Sequence, residues 1–117
     1  MKFRLSTTAT VNSKIGTMIF SNPMVRIKMT GTSPAGNDSQ NIHIGLSYYT
    51  SEADFLAGAE NISQILEGVP FDVVLTFTQA EMTAMDTLGS GTFSELLDNI
   101  VTELEGTFGA GNVSRIL

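Results

Sequence analysis

The stretch IHIGLSYYTSEADFLAGAENI, residues 42–62, gathers the chain's only histidine, His43, both tyrosines, Tyr48 and Tyr49, and three acids, Glu52, Asp54 and Glu60. Side chains of these types could exchange protons with a substrate, provided that a base and an orienting partner lie within hydrogen-bond reach. The spacing argues against it. Alternation puts Ile42, Ile44, Leu46 and Tyr48 on one face of a strand and His43, Gly45, Ser47 and Tyr49 on the other, so His43 and Tyr48 point apart. Ser51 with Asp54 three residues on has the form of a capping box, and Glu52 and Asp54 are first-turn acids favoured by the helix dipole. The stretch therefore reads as a strand end handing over to a helix, with His43 a surface or edge residue.

Glycine motifs come close to nucleotide chemistry and fall short. In GTSPAGND the spacing of a phosphate loop is present, but Asn37 and Asp38 stand where a lysine and a hydroxyl residue are required. GAGNVS has Ser114 in place of the third glycine of a dinucleotide fingerprint. With no cysteine, thiolate nucleophiles, thiolate metal sites and disulfides are excluded. The acids form no calcium loop, and Glu95, Asp98, Glu103 and Glu105 fall off the apolar stripe of one helix, on a solvated acidic face. No catalytic residue, cofactor site or metal site is expected, and the chain reads as no enzyme. Asn37, Asn61 and Asn112 each match Asn-x-Ser, but a secretory route, and with it glycosylation, is not expected.

The charges are unevenly placed. Residues 1–37 carry five cations and no acid, while residues 38–117 carry twelve acids and one cation, Arg115, for a net charge of −6. An acidic chain without an aromatic ladder among its cations is unsuited to nucleic acid. No run approaches the length of a membrane span, and no small-molecule substrate is indicated.

The elements that would position these residues read as follows. KFRLSTTATV alternates over residues 2–11, placing Phe3, Leu5, Thr7, Ala9 and Val11 inward; KIGTMIF and MVRIKM follow as second and third strands, with Val25, Ile27 and Met29 inward and Arg26 and Lys28 outward. Residues 31–40 form a projecting loop, and residues 41–49 a fourth strand. A helix opens at Ser51 and carries Phe55, Ala59, Ile62 and Leu66, interrupted or closely packed at Gly58. FDVVLTFT, residues 71–78, is β-branched and aromatic enough for a central strand. Capping boxes at Thr78/Glu81 and Thr92/Glu95 open two more helices, the first carrying Met82, Met85 and Leu88, the second a stripe of Phe93, Leu96, Leu97, Ile100, Val101 and Leu104 worth roughly 9–18 kcal/mol gross on burial. The methionines at 18, 24, 29, 82 and 85 are expected as core fillers. VSRIL closes the chain as a strand or an extended arm. The 117 residues make a single α+β domain, a mainly antiparallel sheet of four to six strands with two or three helices on one face.

In overall character the chain resembles small virion proteins of tailed bacteriophages, of the neck, tail or capsid-decoration kinds. The likeness is carried by a cysteine- and tryptophan-free chain rich in Thr, Ser and Gly, by KFRLSTTATV and by TFSELLDNIVTELEGTFG. It implies a sheet with a long helix, assembly into rings with other virion subunits, and a place in the virion after assembly in host cytoplasm; it brings no site residue with it. Charge patterning supplies candidate interface residues: Lys2, Arg4, Arg26 and Lys28 on a basic sheet surface, and Glu95, Asp98, Glu103 and Glu105 on an acidic helical one, through which identical copies meet. The competing expectation is a small acidic inhibitor or regulator that binds a basic protein, working through the helix face from Glu81 to Glu105.

Overall fold

Period-two alternation is what builds the sheet. A computed structural model describes residues 3–16, 18–88 and 91–116. Its strands are β1 (Arg4–Thr7), β2 (Thr10–Asn12), β3 (Ile19–Ser21), β4 (Met24–Pro34), β5 (Gln40–Tyr49), β6 (Asp72–Phe77) and β7 (Val113–Arg115), and its helices α1 (Glu52–Leu56), α2 (Gln79–Leu88) and α3 (Gly91–Phe108). Five strands form one antiparallel sheet in the order β6-β5-β4-β1-β7, and β2 pairs with β3 in a separate ribbon. The chain is an α+β domain.

One face of the sheet presents Leu5, Val25, Ile27, Ile44, Leu46, Tyr48, Leu75 and Phe77 to a core closed from above by Leu96, Leu97, Ile100, Leu104 and Phe108 of α3. The helical spacing of those residues sets the side of α3 that is buried. The expected contributions of Met85, Leu88 and Phe93, and the Thr92 cap, lie outside the described side chains.

The fold departs from the sequence expectations at several places. The first alternating run does not continue as one strand: the main chain leaves the large sheet after Thr7, whose buried hydroxyl donates to Pro23 O at 2.8 Å, and re-pairs as β2 with β3. Phe3, expected inward, is exposed. Residues 31–40 are not a free loop. Strands β4 and β5 run on as a hairpin through Ser33↔Asn41 and Pro34↔Gln40, and only residues 35–39 turn, through Gly36, Asn37 and Asp38 in the left-handed region. The helix from Ser51 stops at Leu56, because Gly58 at φ +87° leaves the helical path; a single 3-10 turn, Ser63–Ile65, follows. Finally β6 is an edge strand, with Val74 half exposed, since no strand pairs beyond it among the described residues. Met18 and Met29 are likewise exposed where core positions were expected, whereas Met24 is buried. VSRIL resolves into a strand: β7 pairs with β1 through Ser6↔Ser114.

Candidate subunit interface

The constellation in residues 42–62 is taken apart by the fold. Tyr48 is fully buried, and its hydroxyl donates to Pro70 O at 2.6 Å between the rings of Phe71 and Phe108. Burial pushes its phenol well above the ordinary range. His43 lies on the opposite face of β5, its Nε2 at 2.8 Å from Ser33 Oγ across the hairpin. Tyr49, whose place in the alternation suggests a side chain exposed or at an interface, is instead buried against Phe55 of α1 with ring centroids 4.8 Å apart. Ser51 Oγ accepts from Asp54 N at 3.0 Å, the N-cap half of the expected motif, while the Asp54 carboxylate turns to Thr50 Oγ1. Among the described residues, no three His, Asp or Glu side chains are grouped to hold a metal ion.

The outer sheet face, opposite α3, collects the cations. Arg4 and Arg26 are cross-strand partners, and Arg26 pairs in turn with Ser47. Like charges placed opposite repel, and here two contacts offset the repulsion. Arg4 Nη2 reaches Glu52 Oε1 at 3.2 Å, and both guanidinium groups stand near the Phe55 ring, at 5.1 Å for Arg4 and 5.8 Å for Arg26. The five-residue helix α1 thus covers part of the basic face, a contact with no local signal beyond an aromatic residue beside an acidic first turn. Lys28 continues this face and is exposed; Lys2 lies outside the described residues.

On the helix layer the four expected acids have different fates. Asp98 lies 3.5 Å from Arg115 Nε, and the same guanidinium donates to Ser94 Oγ. Glu105 accepts from Gly111 N, satisfying the turn that follows α3. Glu95 and Glu103 are exposed and, like Lys28, have no ion-pair partner among the described residues. Of the eight candidates, then, the fold leaves Arg26 and Lys28 open on one side of the molecule and Glu95 and Glu103 open on the helix layer at the other.

No family model, curated protein or solved structure matches this chain. No helix among the described residues is long and apolar enough to cross a membrane.

Proposed function

We propose that this chain is a non-enzymatic structural subunit of a larger assembly, a virion protein of the neck, tail or decoration kind, whose copies meet head to tail. The observation that carries the reading is the placement of unpaired charge. Arg26 and Lys28 alternate with Val25 and Ile27 and so face away from α3, while Glu95 and Glu103 lie on α3 itself. The two sets lie on different layers, the outer sheet face and α3, and no ion pair joins them among the described residues, so one copy leaves both sets without partners. A neighbour in the same orientation offers the complementary surface, and such heterologous contacts close into rings when the rotation allows. A two-fold dimer through either surface would instead oppose like charges. The tip of the β2–β3 ribbon adds apolar surface that an assembly would bury, with Ile15 63%, Met18 54% and Ile19 59% exposed.

Size-exclusion chromatography with light scattering tests this. The wild-type chain is expected to give a defined oligomer whose mass falls as salt is raised, and Arg26→Glu/Lys28→Glu to shift it toward monomer with an unchanged circular-dichroism spectrum. An oligomer indifferent to that double change removes the charge pairing. A wild-type monomer at every ionic strength removes the proposal, and a monomer that captures a basic protein supports the inhibitor reading in its place.

A further inference from the structure

Among the described residues the five-stranded sheet is open along β6, along the three-residue β7 and along the far part of β4, and the two long stretches, on β4 and β6, differ. Beyond Ile27, whose N–H donates to Phe3 O, β4 has no neighbour on that side among the described residues. It carries Lys28, a bulge between Met29 and Gly31, and Pro34, three devices that discourage an incoming strand. Strand β6 carries none of them: DVVLTF has no Lys, no Pro and an unbroken register with β5. Leu46 N donates to Phe71 O at 2.8 Å, and antiparallel pairs alternate between bonded and non-bonded. Phe71, Val73, Leu75 and Phe77 therefore direct their main-chain groups at β5, whereas Asp72, Val74 and Thr76 direct theirs outward. Val74, 51% exposed, sits in the middle of that open run.

Beside this edge lies a groove of about 360 Å³ between β6 and α3, walled by Glu81, Asn99, Thr102 and Glu103 and lined by no cation. The acids decide what fits. A second copy's β6 added antiparallel would bring Glu81 and Glu103 against their own counterparts. The geometry points to β6 as the docking edge for an extended basic segment of another chain, added to the sheet as a sixth strand. The segment's outward main-chain partners are Asp72, Val74 and Thr76, its cations lie toward Glu81 and Glu103, and its apolar residues lie over Val74. This goes beyond the head-to-tail reading: the two share Glu103, but Arg26 and Lys28 take no part here.

A synthetic peptide KFRLSTT, whose cations alternate with Phe and Leu, is the probe, read by amide shifts in the nuclear magnetic resonance spectrum of the isotope-labelled full chain. Shifts are expected along residues 72–77 and to weaken as salt is raised. Val74→Pro removes one outward N–H and leaves the β5 ladder intact, so the affinity should fall roughly tenfold, the equivalent of about one strand hydrogen bond. Should that variant fold poorly, Val74→Lys blunts the same edge. Glu103→Lys should lower affinity and flatten the salt dependence, and Arg26→Glu/Lys28→Glu should change neither. The proposal fails if no shift develops at millimolar peptide, if the shifts map elsewhere, or if Val74→Pro and Glu103→Lys bind as wild type does. It also fails if Val74→Pro abolishes a wild-type self-association, which would make a second copy the occupant. Loss of the oligomer on Arg26→Glu/Lys28→Glu with peptide binding retained separates the two ideas.

Discussion

Tyr48 is where the interior is most demanding. Its ring fills the core under α3 and its hydroxyl has one partner, the Pro70 carbonyl. Tyr48→Phe leaves that carbonyl short of a donor and should cost about 1 kcal/mol in urea unfolding at neutral pH. Because burial raises the folded pKa above the ordinary 10.0, the native state holds the phenolic proton more tightly than the unfolded chain does. That contribution is complete below pH 10 and is lost as pH rises toward the folded value; Tyr48→Phe should unfold with a flatter alkaline limb. Phe55 plays the corresponding part on the other face, where two guanidinium groups stand near its ring. Phe55→Ala removes both ring contacts and the Tyr49 packing, an expected loss of about 2 kcal/mol, whereas Glu52→Gln should cost less than about 1 kcal/mol because that pair is partly solvated.

Helices α1 and α2 are begun by side-chain caps, and α1 is ended by backbone geometry. Helix α2 opens on a reciprocal capping box, with Glu81 N donating to Thr78 Oγ1 at 3.2 Å and Thr78 N to Glu81 Oε1 at 3.1 Å. Thr78→Ala should lower the urea midpoint by the equivalent of about 1 kcal/mol. Helix α1 ends for a different reason. Gly58 has open space around its Cα, so nothing steric forbids a side chain, but its φ of +87° is left-handed. Gly58→Ala should cost about 1–2 kcal/mol through the backbone alone, and Gly58→Asn, which tolerates that region better, should cost less. Had crowding rather than backbone conformation been the cause, the larger asparagine would be the worse of the two.

Across the whole molecule, a sheet with helix α3 on one face is an asymmetric layer, and its unpaired charges inherit the asymmetry. If copies meet head to tail, two defective variants should repair one another: Arg26→Glu/Lys28→Glu mixed with Glu95→Lys/Glu103→Lys is expected to recover oligomer mass that neither gives alone, as read by light scattering. Mixing that leaves both populations monomeric would place the contact elsewhere.

Local signals in the sequence marked the Thr78 and Ser51 caps, the alternation through Ile42–Tyr49 and the stripe Leu96–Leu104, because each depends on neighbours within a few residues. Hence the α+β class and the side of α3 that is buried were legible before any fold was known. Strand order was not. FDVVLTFT has the composition of an interior strand yet lies at the edge, and residues 31–34 lack large apolar side chains yet extend β4, since pairing across the hairpin outweighs local preference. The eight charged candidates were equal in the sequence, and only tertiary structure divided them. Glu52, distant in sequence, neutralises Arg4; Arg115 reaches Asp98; a turn after α3 claims Glu105; Arg26, Lys28, Glu95 and Glu103 are left without an ion-pair partner among the described residues, Arg26 having only the Phe55 ring near it. Long-range pairing of that kind is decided by which surfaces the core brings together, a property of the packed chain and of no local stretch of it.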